Sequence, residues 1–424
     1  MKKILKPIII FSLAFLARSI LHRYSPKIVM VSGSVGKTST KDAIAAVLST
    51  KFYVRKSEKS FNSEFGVPFT ILGVGNPWND PFAWLGVIRS AFALLVLPNH
   101  YPNMLVLEVG ADRPGDLARI LRFATPDAVV ITRLPEISVH VEAYASPESV
   151  REEEFSPAYA LAAGAPLIIS ADDPYAVDNA RRTPSRTTSY GLAESANVRV
   201  SDIGFYKAGD TVSGMQANIR MGSEHGAYIV RGSVGETQLF PVAAAIATAH
   251  AFGISLNDAL DALKNYKTPA GRGRLFIGKN SSIIIDDSYN ASPVAVEEAL
   301  ATLKAFPNAK RRIAVLGDML ELGRYSVAEH ERIAILAGES ANVIITVGIR
   351  ARGFATIPKS AEILQFDNSR TAATALAAFV SEGDVVLVKG SQSIRTERIV
   401  EALLADPHDV AKLVRQEKKW LERV

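Results

Sequence analysis

Seven residues, Gly33-Ser34-Val35-Gly36-Lys37-Thr38-Ser39, carry the strongest chemical signal in the chain. They follow the apolar stretch KIVMVS and lead into TKDAIAAVLST, so a glycine turn joins an expected strand to an expected helix. Glycines let the backbone fold tightly, and the amides of the turn and helix start then face phosphate oxygens. Lys37 supplies a positive charge to a transferring phosphoryl group, and the Thr38 hydroxyl can hold Mg²⁺. The spacing is G-x-x-G-K-T, shorter than the common G-x-x-x-x-G-K-[ST], whose first glycine would fall at Val31. A chance glycine turn before a helix would match the bare pattern; the flanking strand and helix favour a nucleotide site.

The elements around this turn have a regular order. MLVLEVG, DAVVITRL and APLIISA are short apolar runs that suit parallel strands buried on both faces. Helical pieces between them, such as GDLARILRF, make βαβ units, so residues 27–268 are expected to form a phosphate-loop domain with a mostly parallel sheet. A glycine-rich stretch from Val198 to Gln238 reads as extra strands at the sheet edge. PVAAAIATAHAFG and LNDALDALKNY then close the domain as helices. Thr268-Pro269-Ala270-Gly271 reads as a linker. Beyond it the alternation restarts with SSIIIDDS, RIAVLGD, NVIITVG, AEILQF and DVVLVKG as strands. The helices PVAVEEALATLKAF, AEHERIAILAG, RTAATALAAFV and IRTERIVEALL lie between and after them, so residues 269–424 predict a second, Rossmann-like α/β domain. The tail KLVRQEKKWLERV reads as a charged helix.

Bulk properties set limits. At 424 residues the chain exceeds one core. It is 48% hydrophobic and 21% charged, ordinary for a globular protein. A net charge of +5 without a basic, aromatic-laced stretch argues against nucleic acid as a partner. The absence of cysteine excludes disulfides and thiolate chemistry. Residues 1–26 start with basic residues and continue as the apolar run PIIIFSLAFLA. Arg18, His22 and Arg23 stand where a signal peptide would be cleaved, and the run is short of the roughly 20 residues of a membrane span. A helix packed on the protein is expected, with a membrane-surface helix as the alternative. FAWLGVIRSAFALLVL, ending at Leu97, raises the same choice, so residues 4–21 and 82–97 are candidates for peripheral membrane contact.

Further segments extend the signal. Lys59 to Pro68, KSFNSEFGVP, resembles the N-N-x-x-G-V-P stretch of the Mur ligase family, and Leu107-Glu108-Val109-Gly110-Ala111 its E-x-G-A strand end. His140-Val141-Glu142 resembles its H-x-E turn, and Asp286 to Pro293, DDSYNASP, its adenine-binding segment. Gly317-Asp318-Met319-Leu320-Glu321-Leu322-Gly323 with His330 is similar to the signature of the branch that adds D-alanyl-D-alanine, and Lys389-Gly390-Ser391 fits the last strand. These matches run in family order from residue 28 to about 404.

The resemblance implies an ATP- and Mg²⁺-dependent amide ligase of peptidoglycan synthesis, cytoplasmic and monomeric, acting on a cell-wall precursor and D-alanyl-D-alanine. The γ-phosphoryl group passes to a carboxylate, and the resulting acyl phosphate is attacked by an amine. Glu108, at a strand's C-terminal end, is expected to join Thr38 at the first Mg²⁺, with His140 at a second metal. Many members carry a carbamylated lysine after the H-x-E turn; here Glu154 is the expected substitute. Asn290 is expected on the adenine, Asp318 on the ribose, Arg274 at phosphate or hinge, and Asn62 at the substrate. The strand before the loop begins near Lys27, so the uridine-nucleotide-binding domain of the family is expected to be missing, with an apolar helix in its place. The family's H-x-x-N before Val242 is missing too; Gly235-Glu236-Thr237-Gln238 stands nearby. Two other readings remain: a related ligase with another acceptor, of folylpolyglutamate or cyanophycin type, and a nucleotide-binding scaffold without turnover.

Overall fold

A computed structural model describes residues 2–58, 61–77, 80–356, 361–417 and 420, without the side chains of residues 2–5 and 354–356. Lys59 and Ser60 of the KSFN stretch lie outside the described residues, as do residues 418–419 and 421–424 of the tail.

The alternating apolar runs form two sheets. The first has nine strands: β1 (Lys27–Ser32), β2 (Val54–Lys56), β3 (Met104–Glu108), β4 (Ala128–Ile131), β5 (Pro166–Ser170), β6 (Arg186–Gly191), β7 (Val198–Ala208), β8 (Thr211–Met221) and β9 (Glu224–Arg231). Their order is β2-β3-β1-β4-β5-β6-β7-β8-β9, parallel through β7 and antiparallel for the last two pairings. β1, β3 and β4 are buried almost throughout, which explains their unbroken apolar sequence. β7 to β9 alternate buried and exposed residues, as an edge that meets solvent on one face requires. They fall within the expected edge stretch, whereas β2 and β6 are short or polar and escaped the hydrophobic pattern.

The second sheet contains β10 (Arg274–Ile277), β11 (Ile283–Asp287), β12 (Arg311–Gly317), β13 (Val343–Val347), β14 (Glu362–Phe366) and β15 (Asp384–Lys389), ordered β10-β11-β15-β12-β13-β14. Only the β10–β11 pairing is antiparallel. β10 succeeds the expected linker directly and was not foreseen. The tail departs from expectation as well: a 3₁₀ turn covers Pro407–Lys412 and residues 413–417 are not helical. Arg415, in left-handed backbone at φ +59°, instead reaches back to Glu397 at 2.8 Å and to the Ser288 carbonyl at 3.2 Å.

Four helices lie early in the chain, around the first strands. α1 (Lys2–Tyr24) precedes β1, α2 (Lys37–Leu48) comes directly after it, and α3 (Gly66–Leu72) and α4 (Pro81–Val96) lead into β3. α1 is longer than its apolar run, and Lys6–Tyr24 is long and apolar enough to cross a membrane by length and composition. In the fold one face of α1 packs on the protein, with Leu13, Ala17 and Ile20 buried beside residues of α3 and α4.

Candidate active site

β1 ends where the chain must turn sharply. Gly33 has φ +120°, and a Cβ there would lie 2.2 Å from Thr132 Oγ1, so only glycine fits between the strands. Gly36, at φ +89°, sets the start of α2. Ser34 and Val35 donate their amides to the Arg133 carbonyl at 2.9 and 3.3 Å, fixing the loop on the strand beside it. Among the described residues no side chain caps α2, so the positive end of its dipole opens into a cavity.

Glu108 stands at the end of β3 opposite that helix start. Thr38 donates its hydroxyl to Glu108 Oε1 at 3.2 Å, and Lys41 Nζ is 3.7 Å from Oε2. Glu108 is 2% exposed, and its Oε2 accepts no hydrogen bond from the described residues. Burial pushes its carboxyl above the ordinary range, against the charges of Lys41, Lys37 and Arg272 and the Thr38 bond. Such a carboxylate gains most from a cation. No three His, Asp or Glu side chains converge as a metal cage among the described residues. Mg²⁺ that keeps its waters and binds phosphate oxygens needs only one or two protein oxygens, and the Thr38–Glu108 pair fits that demand.

Lys37 bends back onto the loop. Its ammonium donates to the Gly33 carbonyl and lies 3.6 Å from Glu154 Oε1. Glu154, on the helix Pro147–Tyr159, also accepts the Ser34 hydroxyl at 2.7 Å, while the Ser32 hydroxyl holds its backbone carbonyl at 2.6 Å. Buried beneath the loop, it lines none of the three cavities that meet there.

The largest of these, about 670 Å³, opens above α2, with walls from both sheets. Lys37, Thr38, Asn62, Glu108 and His140 face it from one side, and Asn290, Glu321, Lys389 and Ser391 from the other. Gly110 lets Asn62 and Lys37 approach: a Cβ there would stand 3.0 Å from Asn62 Nδ2 and 3.4 Å from Lys37 Cε. His140, in left-handed backbone at φ +68°, donates Nδ1–H to Glu321 at 2.7 Å, and its Nε2 is 3.6 Å from Asp112. Burial pulls the imidazole's pKa down, but the Glu321 hydrogen bond and the charges of Glu321 and Asp112 leave it raised.

Two expected ligand residues stand elsewhere. Asp318 accepts the Ala351 amide at 2.8 Å, and Arg274 donates to the Lys412 carbonyl at 3.0 Å; neither lines these cavities. Arg272 does line two of them, stacked 4.4 Å from the centre of the Tyr289 ring. It stands in the same G-R-G-R stretch, where sequence could not tell which side chain points inward. Lys389, held at 2.6 Å from Asp287 and 3.0 Å from the Asn290 carbonyl, and Glu321 were visible as motif letters but had no assigned role.

Two smaller cavities share Val35 and Gly36 with the large one. One of about 70 Å³ touches Ser39, Gln238, Arg272, Asp287 and Lys389. The other, about 470 Å³, is mainly apolar, with Tyr190, Phe205, Phe240 and Pro241 in its wall. A phosphate loop on a parallel sheet, flanked by an apolar and a charged chamber under a second α/β unit, defines a nucleotide-dependent transferase or ligase.

Residues 31–249 match the Mur ligase middle domain and residues 271–392 the Mur ligase, glutamate ligase domain, and the chain belongs to the Mur ligase family. Its chemistry is that of an ATP-dependent, ADP-forming ligase working with Mg²⁺. Among its relatives is the UDP-N-acetylmuramoyl-tripeptide–D-alanyl-D-alanine ligase of Bacillus subtilis, 28% identical over 92% of this chain and 79% of the relative. The Escherichia coli enzyme of that name is 27% identical over the same shares. The structure resembles MurF ligase from Thermotoga maritima in complex with ADP at TM-score 0.78 and 28% identity, covering 93% of this chain and 83% of the other. A folylpolyglutamate synthase from Mycobacterium tuberculosis shares the fold at TM-score 0.63 and 14% identity, over 92% and 94% of the two chains.

Proposed function

We propose that the protein joins D-alanyl-D-alanine to the free carboxylate of a muramoyl peptide precursor, as its relatives' names describe for them. The observation that carries this reading is the shared cavity, where Lys37, Thr38 and Glu108 from one sheet face Asn290, Lys389 and Ser391 from the other. Residues 27–268 serve as the nucleotide-binding unit, residues 269–424 as the closing unit, and residues 1–26 as an apolar helix. The enzyme works as a monomer in the cytoplasm, at the inner face of the membrane.

The nucleoside lies in the apolar chamber beside Gly36, where Tyr190 and Phe240 offer contact surface for a base, and not against Asn290, which was expected to hold the adenine but lines the large charged cavity instead. The phosphates pass Arg272 and Lys389 and end at the start of α2. Phosphoryl transfer depends on positioning and on offsetting charge. Lys37 and the α2 amides oppose charge on the γ-phosphoryl oxygens, while Thr38 and Glu108 would hold Mg²⁺, which would supply further offsetting positive charge. The precursor carboxylate attacks phosphorus, ADP leaves, and an acyl phosphate results. The dipeptide amine then attacks the acyl carbon, forming the amide, losing its proton and expelling inorganic phosphate. Asn62 stands on the acyl side of Lys37 and orients this substrate, and His140 would hold a second cation at the same cavity.

Purified protein with Mg²⁺, ATP and UDP-N-acetylmuramoyl tripeptide should release ADP when D-alanyl-D-alanine is added, with a product mass higher by the dipeptide less water. Release driven only by another amino acid would move the acceptor assignment to a different branch. Full activity in Lys37→Met would overturn the site.

A further inference from the structure

α1 and α4 lie side by side and are tied together. The Tyr24 hydroxyl donates to the Leu94 carbonyl at 2.7 Å, and the Arg23 guanidinium donates to the carbonyls of Leu95 and Leu97, closing the end of α4. Their inner faces meet the core through Leu13, Ala17, Ile20, Val87 and Ala91. Their outer faces are the unusual feature. Phe11 and Phe15 on α1, and Phe82, Leu85, Ile88 and Phe92 on α4, are between 59% and 85% exposed. The α4 residues recur at helical spacing, so they form one stripe rather than scattered side chains. A contiguous apolar face of this kind normally has something covering it.

Charge indicates what covers it. Neither helix contains an aspartate or glutamate, whereas Lys6, Arg18, His22, Arg23 and Arg89 are exposed along them. Asp80, just before α4, is occupied in capping the amides of Phe82 and Ala83. Phenylalanine and leucine on one side with basic residues and no carboxylates is the pattern of a helix lying in a lipid headgroup layer. A transverse orientation of α1 fits less well, because one of its faces is taken by the protein itself.

We propose that α1 and α4 together dock this protein flat on an anionic phospholipid bilayer. The docked surface is linked to the site. Lys6 sits 3.9 Å from Glu64 and over the Phe65 ring, in the loop that carries Asn62 into the large cavity. The acyl side of the cavity therefore stands near the membrane plane.

The test is flotation of the full-length protein with vesicles of phosphatidylcholine, alone or mixed with phosphatidylglycerol. Wild type should float with the anionic vesicles and much less with the neutral ones. Phe11→Ser with Phe15→Ser, or Phe82→Ser with Phe92→Ser, should each weaken partition about tenfold or more, and Arg18→Glu with Arg89→Glu should abolish the preference for anionic lipid. ADP release by the same variants in lipid-free solution should be unchanged, which separates failure of docking from failure of the catalytic reading. Equal flotation by wild type and both phenylalanine pairs overturns the proposal. So does resistance of bound protein to alkaline carbonate, which would mean a span, and so does a lipid-free dimer that never floats, which would make the face a contact between copies.

Discussion

Replacing Glu154 by glutamine separates two accounts of this residue. One makes it a metal ligand standing in for a carbamylated lysine. The geometry supports another, a counter-ion that holds the phosphate loop from below. The substitution keeps size and an oxygen for the Ser34 hydroxyl but removes the charge 3.6 Å from Lys37. At that separation an effective dielectric of about 20 gives an attraction of roughly 4–5 kcal/mol. Loss of the buried carboxylate's desolvation cost offsets part of this, and Lys37 opens on the cavity, where water can solvate it. The net loss is then about 2–3 kcal/mol, and for a unit of this size Tm should fall by about 4–12 °C. Thermal melts and Mg²⁺ titrations of ADP release read the two effects separately. The Mg²⁺ needed for half-maximal rate should stay within about twofold of wild type, since Glu154 does not line the cavity, and KM for ATP should not rise. An unchanged Tm with a Mg²⁺ requirement raised about tenfold would refute the loop-holding argument and restore the metal ligand.

Glu108→Gln should raise the Mg²⁺ concentration for half-maximal ADP release by about tenfold or more, because a buried carboxylate is exchanged for a neutral amide. Arg272→Ala should lower kcat/KM for ATP by about 10- to 100-fold, the worth of a charge-assisted phosphate contact. Arg274→Ala should leave it unchanged and cost only about 0.5–1.5 kcal/mol in denaturant melts. Asp286 is fully enclosed, and burial lifts its carboxyl from 3.8 to about 6, against hydrogen bonds from Ser288. Its neutral form is the better tolerated one, so its contribution is complete below the unfolded value and is lost as pH rises through about 6, roughly 3 kcal/mol in all. Asp286→Asn should therefore gain stability relative to wild type between about pH 4 and about pH 8; parallel melts that stay level across that range would contradict it.

Much of the architecture was legible in sequence, and the misses have physical reasons. β1, β3 and β4 are buried on both faces, so they read as apolar runs, and the glycine turn between β1 and α2 could be located to the residue. β6 is Arg-Thr-Thr-Ser-Tyr-Gly, recruited by pairing with β5 rather than by its own pattern. β10 depends on an antiparallel partner that local sequence does not reveal. Within the site, the glycine-turn spacing pointed to Lys37 and Thr38 at a helix start, while Glu108, at a strand end, was reached through the family resemblance. Direction was not legible where glycines free the backbone: Gly271 and Gly273, both at positive φ, turn Arg272 inward and leave Arg274 on β10 facing the tail. The outward stripe of α4 was equally hidden, since an apolar helix reads alike whether its surroundings are protein, lipid or water.

The bond from His140 to Glu321 joins the two units at the mouth of the large cavity. The imidazole belongs to the first unit and the carboxylate to the second, so each senses the other's arrival. A carboxylate on Nδ1–H makes the opposite ring nitrogen a stronger electron donor. Nε2 would then bind a cation more tightly with the two halves together than apart. Such an interlock would reserve nucleotide turnover for the closed enzyme, and it predicts that shortening Glu321 alone to alanine lowers ADP release and raises the Mg²⁺ needed for it.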